Sequence, residues 1–244
     1  MAQALVGQVN AARKRKALKA LSLLEAEYGV TEHYVRMDPM DELVSCILSQ
    51  HTSDANSFPT FFALRTKYPD WSEIAKLKPT TLADEIRSAG LANQKAKAIL
   101  ATLREIKSRV GDYSLELLHA MDTDTALEWL CSLPGVGPKT AAIVMCFSFG
   151  RPVVPVDTHV HRVSKRLGLT DEKTSEAQAH RILRQLIRPE LAFRFHVALI
   201  EHGRRTCKAR TPLCGECVLR RICPSASSGV APNGRLKKRM IRKH

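Results

Sequence analysis

The sequence predicts an all-α protein, and three observations support this fold class. Apolar residues recur every three or four positions through most of the chain, as in the stripe of Ala96, Ile99 and Leu103. No convincing strand occurs, because the apolar run at 153–156 is short and is interrupted by Pro155, which indicates an extended connector. The segments between the stripes are short, so we expect helices joined by short loops.

The individual helices follow from these stripes and from polar residues that can cap them. A capping side chain accepts a hydrogen bond from a free N–H group at the start of a helix, so Asp, Asn and Thr are typical first residues. The predicted helices are, in order, the stripe from Leu18 to Tyr28, Leu43 to Leu48 after Asp41, Leu82 to Ile86 after Thr80 or Thr81, Lys95–Val110 with Asn93 as N-cap, Leu127 to Leu130 after Asp124, Lys139–Phe147, Thr158–Leu167, Thr174–Arg188 and Leu191–His202.

The charge of the chain points to a polyanionic partner. Its 244 residues carry a formal net charge of +14, which favours nucleic acid over the alternative of a basic surface that serves solubility alone. Residues 1–16 and 225–244 contain basic but no acidic residues, so we expect two disordered arms that add affinity without reading sequence. The folded part contributes further charge near the C-terminal cysteines, at Arg204, Arg205, Lys208, Arg210, Arg220 and Arg221.

Targeting signals are not apparent in the sequence. No window approaches 18 consecutive apolar residues, so we expect no membrane-spanning helix and no membrane partner. The N-terminus lacks the apolar stretch and cleavage site of a signal peptide. We therefore expect a protein of the cell interior.

Four of the seven cysteines cluster near the C-terminus. Their spacing is C-x6-C-x2-C-x5-C, at Cys207, Cys214, Cys217 and Cys223. Intracellular chains seldom use disulfides, so the cluster indicates a metal site, and thiolates suit either zinc or an iron–sulfur cluster. The spacing leaves these two metals open, and four thiolates indicate a structural site. The other cysteines, Cys46, Cys131 and Cys146, are interpreted as small buried apolar residues.

The stretch LPGVGPKT at 133–140 predicts a tight turn between two helices. A nucleotide-binding loop is excluded, because the glycine spacing is wrong and a helix rather than a strand precedes it. Glycine permits positive φ and close approach of the backbone, and Pro138 suits a first helical turn. The N–H groups at that helix start would bind one phosphate of a nucleic acid backbone. The alternative is an ordinary turn between helices.

Lys139 and Asp157 are the candidate chemical groups. Lys139 falls in the first turn of a helix, where a cation is unfavourably placed against the helix dipole. On the surface it would only contact phosphate, whereas in a partly buried site it would act as a nucleophilic amine, and the spacing does not decide between the two. Asp157 in VPVDTHVHRV is an N-cap by default, and it could also stabilise positive charge on a sugar or move a proton.

The hairpin stretch, the VDTH stretch and the cysteine spacing occur together and in this order. They resemble the helix–hairpin–helix DNA glycosylases, specifically the endonuclease III branch, over roughly residues 17–224. The resemblance implies a catalytic Lys139, an assisting Asp157 and a [4Fe–4S] cluster held by Cys207, Cys214, Cys217 and Cys223. It also implies two helical domains, a six-helix barrel at 36–150 and a cluster domain made of 17–35 and 151–224.

The chemistry implied by the resemblance is base excision with strand nicking. The enzyme flips a damaged base out of double-stranded DNA, and neutral Lys139 attacks C1′ of its sugar. The base leaves, and the resulting Schiff base permits β-elimination of the 3′ phosphate. The expected substrates are oxidised pyrimidines, such as thymine glycol, and abasic sites. We expect a monomer in the cytoplasm, associated with the nucleoid, in a bacterial type of cell.

The expected DNA contacts carry one departure from the family. Gly135, Val136 and Gly137 should grip the backbone, and Leu91 after Gly90 matches the family's leucine that fills the gap left by the flipped base. The family's second gap-filling residue is a Gln in the pattern LS-x-Q-x-x-D. Here the stretch is LSQHTSD, and counting back from Asp54 places His51 rather than Gln50 at that position. Both are candidates.

His159 is a further candidate that would line the damage pocket or contact the strand, or lie as a polar residue on a helix surface. Two other functions are compatible with the motifs. One is an adenine-mismatch glycosylase, although that branch lacks the hairpin lysine and has an extra C-terminal domain. The other is a non-catalytic DNA-binding or redox-sensing module.

Overall fold

The computed structural model describes residues 10–227, and every regular element among them is helical. The all-α prediction is confirmed. Three short 3₁₀ helices, Arg87–Ala89, Glu116–Ala120 and Pro189–Leu191, add to the α-helices. The α-helices are α1 (Ala11–Tyr28), α2 (Pro39–Ser49), α3 (Asp54–Lys67), α4 (Trp71–Ala75), α5 (Pro79–Glu85), α6 (Ala92–Val110), α7 (Thr123–Cys131), α8 (Pro138–Phe147), α9 (Thr158–Leu167), α10 (Glu176–Leu186), α11 (Ala192–Arg205) and α12 (Pro224–Ser227).

The chain divides into two compact units. The hairpin unit is Tyr34–Arg151 and contains α2 to α8. The cysteine unit combines the described residues up to His33 with those from Pro152 onward, and contains α1 and α9 to α12.

In the hairpin unit, the long helix α6 packs against α2, α4 and α5, and α8 packs against α2 and α7. The predicted stripe of α6 is buried, with Ile99, Leu103 and Ile106 fully enclosed. Burial of each such side chain contributes about 1.5–3 kcal/mol. This packing places the segment after α2, the segment before α6 and the turn between α7 and α8 beside α6.

In the cysteine unit, α9 packs against α10 and α11, and α1 packs against α10 and α11. Leu21 and Leu24 of α1 enter one apolar core together with Val160 and Val163 of α9 and Phe195 of α11. The segment at 153–156 is an extended connector, as predicted.

Several predicted helix caps are wrong by two or three residues. The α7 cap is Asp122 rather than Asp124, because the Asp122 carboxylate accepts from the N–H groups of Asp124 and Thr125. Helix α6 begins before Asn93, after Leu91 in a left-handed conformation. The α2 and α5 helices begin at prolines, with Asp38 and Lys78 as the preceding residues, because proline suits the first helical position. Thr80, Thr81 and Asp41 therefore lie inside helices.

The predicted disordered arm at 1–16 is wrong for residues 11–16, which form the first turns of α1. Asn10 caps this helix through the Arg13 N–H, and the side chains of Arg13 and Lys16 contact Asp171 and the Leu167 carbonyl. The predicted tail at 225–244 is helical in its first residues, up to Ser227. Residues 1–9 and 228–244 of the two predicted arms lie outside the described residues. Within residues 10–227, no helix is both long and apolar enough to cross a bilayer.

Candidate active site and metal centre

The predicted hairpin joins α7 to α8 through the turn at 132–137. Gly135 has φ of 75°, and a Cβ there would lie 2.9 Å from the Cβ of Ala98, so conformation and space both require glycine. Gly137 has an extended backbone (φ −102°) and precedes Pro138. Its side-chain position faces open space, and no side chain caps α8. The helix therefore begins with free N–H groups that an anion can reach.

Lys139 is the second residue of α8, and its side chain is exposed. Burial raises the pKa of the Cys46 thiol on α2, and the Lys139 ammonium acts in the opposite direction, which places the amine within electrostatic range of α2. Of the two positions left open by the sequence, the exposed one is observed, so burial does not mark Lys139 as a nucleophile, and that role is an expectation from the family resemblance. An exposed amine in the first turn of α8 is accessible to a molecule that approaches the hairpin turn.

Two loops of the hairpin unit hold the gap-filling candidates. Among residues 10–227, His51 (φ 54°) and Leu91 (φ 50°) are the non-glycine residues with positive φ. Such conformations cost about 1–3 kcal/mol and concentrate at functional sites. Both side chains are exposed, Leu91 by 50%. Asp54 is the exposed first residue of α3 and ends the first loop.

Gln50 differs from its neighbour, because its amide is already engaged. Gln50 Nε2 donates to the Gly135 carbonyl over 3.0 Å, which links the loop after α2 to the hairpin turn. Val136, in the same turn, is buried and anchors it. The structure thus separates the two gap-filling candidates, with Gln50 holding the turn and His51 at the exposed end of its loop.

Asp157 lies in the cysteine unit and caps α9. Its Oδ1 accepts from the Val160 N–H over 2.7 Å, so the N-cap prediction is confirmed. His159 packs tightly on α11, because a Cβ at Gly203 would come within 2.8 Å of the His159 Cβ. Its Nδ1 lies 3.1 Å from Arg162 Nη2. Arginine only donates, so Nδ1 is the acceptor of this hydrogen bond.

The four clustered cysteines line one cavity of about 520 Å³ in the cysteine unit. Zinc would require four sulfurs about 2.3 Å from a single point. In the described part of the chain, no three Cys, His, Asp or Glu side chains are gathered tightly enough to hold one metal ion. A cavity lined by four thiols fits an iron–sulfur cluster, which cysteine thiolates hold. Burial raises the pKa of the Cys217 and Cys223 thiols, and bound iron supplies the positive charge that makes such thiols thiolates.

Three residues that the sequence analysis did not identify support this cavity. Arg166 donates to Cys207 Sγ over 3.4 Å and to the carbonyls of Lys208 and Ala209. Arg162 donates to the Cys207 carbonyl over 2.9 Å. His202 Nε2 lies 3.6 Å from Cys217 Sγ, and burial lowers the pKa of His202 to about 4, so this ring is neutral at pH 7. No sequence signal marks the two arginines, because their partners on the loop include main-chain carbonyl groups.

The basic residues around the cysteine loop lie at the surface of the cysteine unit. Their side chains are all exposed, while the cysteines behind them are partly buried. The cysteine unit thus carries positive charge on its surface on and beside the cysteine loop. The exposed residues are Arg204, Arg205, Lys208, Arg210, Arg220 and Arg221.

Two family models match this chain. The model of HhH-GPD superfamily base excision DNA repair proteins covers residues 44–189, which include the hairpin, Lys139 and Asp157. The model of the iron–sulfur binding domain of endonuclease III covers residues 207–223, which include the four clustered cysteines. The cofactor prediction is confirmed, and the chain is a [4Fe–4S] protein.

Named relatives agree with both models. Endonuclease III of Thermotoga maritima is 38% identical over 186 residues, which cover 76% of this chain and 83% of the relative. Endonuclease III of Synechocystis sp. is 37% identical over 220 residues, which cover 89% and 96%. A solved non-covalent endonuclease III–DNA complex matches with a TM-score of 0.76 at 30% identity, covering 88% of this chain and 96% of that chain. A trapped covalent endonuclease III–DNA intermediate matches with a TM-score of 0.75 at 29% identity, covering 88% and 97%. The chain therefore belongs to the HhH-GPD superfamily of base excision DNA repair proteins, and within it to the endonuclease III family.

Proposed function

We propose that this DNA glycosylase and abasic-site lyase removes oxidised pyrimidines of the thymine glycol type from double-stranded DNA and nicks the strand through a Schiff base on Lys139. The observation that carries the proposal is the hairpin, which presents an uncapped helix N-terminus and an exposed lysine amine two residues after Gly137. The turn binds one backbone phosphate, and the amine then reaches the adjoining sugar. A solved relative forms a covalent intermediate with DNA, as this chemistry requires.

The reaction begins when the neutral Lys139 amine attacks C1′ of the flipped nucleotide. The C1′–N bond breaks, and the base leaves with the electron pair and takes up a proton. The sugar ring then opens, and C1′ forms a protonated imine with Nζ. Loss of a C2′ proton drives cleavage of the C3′–O bond, which releases the 3′ phosphate, and water finally hydrolyses the imine.

Asp157 stabilises the cationic sugar while the base departs and assists the proton transfers. The carboxylate keeps one oxygen on the Val160 N–H, which fixes its orientation and leaves the second oxygen for the substrate. Because this hydrogen bond fixes the Asp157 side chain, its negative charge is held in one position at the start of α9.

Replacing Asp157 by asparagine separates this catalytic role from the cap. Asparagine caps helices as well as aspartate does, so we expect Asp157→Asn to keep the melting temperature while single-turnover base release falls about 10²-fold. Asp157→Ala should lose similar activity and, in addition, about 1 kcal/mol of stability. Full activity of Asp157→Asn would show that Asp157 is only a cap.

The DNA contacts divide between the two units. Gly135 and Gly137 bind backbone phosphate through main-chain N–H groups, while Val136 holds the turn between them by donating its N–H to the Leu133 carbonyl. The exposed basic residues beside the cysteine loop bind further phosphates. Leu91 and His51 enter the gap left by the flipped base, while Gln50 holds the hairpin turn. His159 orders α9 beside Asp157. The protein acts as a monomer on chromosomal DNA in the cytoplasm.

The roles of His51 and Gln50 can be told apart by substitution. Asparagine tolerates positive φ, so His51→Asn keeps the backbone while it removes the ring. We expect this variant to release thymine glycol about tenfold more slowly, in line with the loss of one stacking contact, and to lose its preference for the opposite base. Gln50→Ala should keep that preference. The reverse result, with the preference lost only in Gln50→Ala, would assign the gap to Gln50.

Cys207, Cys214, Cys217 and Cys223 hold the cluster, and Arg166 and His202 contact its thiolates. When bound, the cluster crosslinks the loop at 207–223 through its thiolates. The loop in turn presents its exposed arginines to phosphate. The chemical groups of base removal are Lys139 and Asp157, and the cluster takes no part in that step.

A panel of duplexes tests the substrate class. The panel contains thymine glycol, an abasic site, undamaged thymine, and adenine opposite 8-oxoguanine. We expect release of thymine glycol followed by a nick, a nick at the abasic site, and no reaction with the other two. Release of adenine without a nick would assign the protein to mismatch repair, and binding without any reaction would indicate a non-catalytic module.

A further inference from the structure

Three residues on one face of α6 contact the segments that lead into the two gap-filling loops and the hairpin turn. Lys95, Ala98 and Thr102 are spaced by three and four residues, so their side chains share one face of the helix. Lys95 contacts the segments that lead into the loops with His51 and Leu91. Ala98 and Thr102 both contact the hairpin turn that contains Gly135. None of these contacts follows from the apolar stripe on the buried face.

Lys95 is a buried lysine that binds two helix ends. Its side chain is 3% exposed, and Nζ donates to the Leu48 carbonyl over 2.6 Å and to the Ala89 carbonyl over 2.7 Å. Leu48 lies in the last turn of α2, and Ala89 is the last residue of the 3₁₀ helix Arg87–Ala89. Carbonyls at helix C-termini lack helical partners and carry partial negative charge, which suits an ammonium group. Burial lowers the pKa of the Lys95 amine, and these carbonyls oppose the desolvation.

A second donor reaches the same carbonyl from the first loop. Thr52 Oγ1 donates to the Ala89 carbonyl over 2.5 Å. A Cβ at Gly90 would lie 3.4 Å from that hydroxyl oxygen, so the two loops approach closely here. The junction lies one residue from His51 and two residues from Leu91 along the chain. It therefore determines where the two exposed side chains stand relative to each other.

The hairpin turn is held by the next residues along the same face of α6. Thr102 Oγ1 donates to the Pro134 carbonyl over 2.5 Å, and Gly135 lies against Ala98 with no room for a side chain. Gln50 links the first loop back to the Gly135 carbonyl. Contacts to one helix, α6, thus hold three loop segments in place.

We propose that Lys95 is a positioning residue that sets the spacing of the two gap-filling loops, with Thr102 and Ala98 setting the hairpin turn on the same helix face. The inference rests on the proposed roles of His51 and Leu91 in filling the gap. Lys95 does not touch DNA in this role. Its effect is to hold the two loops at a fixed spacing, so that His51 and Leu91 can enter one gap in the duplex together.

Lys95→Met tests the proposal, because methionine has a similar length and no donor. We expect single-turnover release of thymine glycol to fall at least about tenfold, while borohydride trapping on a preformed abasic site changes by less than about threefold. A 2-aminopurine base placed opposite the lesion should also lose most of the fluorescence change that accompanies its displacement by the loops. This fluorescence reading does not depend on any chemical step.

The matched control is Ile106→Ala or Ile106→Val, whichever gives the same fall in melting temperature as Lys95→Met. Ile106 is fully buried in the same helix and lies one turn beyond Thr102. We expect the control to keep the fluorescence change. An equal loss in the control, or no loss in Lys95→Met, would overturn the proposal.

Thr52→Val supplies a second variant in case Lys95→Met does not fold. It removes the other donor to the Ala89 carbonyl. We expect base release to fall by a smaller factor than in Lys95→Met, while borohydride trapping is again little changed. Wild-type protein in the same assays separates the proposed function from the positioning role of Lys95. No base release and no trapping by wild type would refute the proposed function, whereas active wild type with equally active Lys95→Met and Thr52→Val would refute the positioning role alone.

Discussion

Lys139→Gln is expected to abolish both base release and strand nicking, with a fall of about 10³-fold or more in the single-turnover rate. Glutamine keeps the length and polarity of the side chain but has no amine that can attack C1′ or form an imine. Lys139 is exposed and makes no packing contact on which α8 depends, so the fold should be unchanged. The measurement is product formation on thymine glycol and abasic-site duplexes with enzyme in excess.

Lys76→Gln is the control for the loss of one positive charge. Lys76 is an exposed lysine of the same unit, at the end of α4. We expect it to retain activity, and both variants to bind duplex DNA with a salt dependence reduced by at most about one unit of slope. Residual nicking by Lys139→Gln at the wild-type rate would mean that another group attacks the sugar.

The second large effect is expected from the loss of a cluster thiolate. Cys217→Ala should lose most of its iron and acid-labile sulfide together with its visible absorbance, because metal binding and folding of such a loop are a single process. The loop at 207–223 contains turns and no α-helix, and a bound cluster would add to the contacts from Arg162 and Arg166 and to the burial of Leu219 that hold it. We expect DNA affinity to fall at least about tenfold as its arginines lose their fixed positions.

Cys131→Ala is the matched control, because Cys131 is exposed and lies on α7, outside the loop. It should keep iron, colour and DNA affinity. Iron and sulfide content, the visible spectrum and salt-dependent binding together give the result. A colourless wild-type protein that carries zinc after anaerobic purification would contradict the cluster assignment.

Local patterns predicted the elements that depend on neighbouring residues. The range of α9, the position of Pro138 at the start of α8 and the cap by Asp157 are all as expected, because each depends on residues within one helical turn. The N-cap of α7 is Asp122 and not the predicted Asp124. Both aspartates can cap a helix, and the point at which the backbone becomes helical determines which of them does. Likewise, the extended backbone of Gly137 could not be distinguished from the positive φ of Gly135.

Contacts between distant segments lay beyond the sequence. Lys95 has the pattern of a surface lysine on a helix, and its partners are carbonyl groups 47 and 6 residues away. A carbonyl group carries no residue signature, so no spacing rule could assign this contact. The same reason applies to Arg166, which binds the main chain of the cysteine loop. The positive φ of His51 likewise depends on the loop that surrounds it.

The central claim, that Lys139 forms a Schiff base with DNA, is tested most directly by borohydride trapping. Wild-type protein is incubated with an abasic-site duplex and borohydride, which reduces the imine to a stable amine, and the crosslinked peptide is sequenced by mass spectrometry. We predict a covalent adduct on Lys139 and none in Lys139→Gln. Absence of an adduct in wild type, an adduct on another lysine, or equal trapping by Lys139→Gln would contradict the claim.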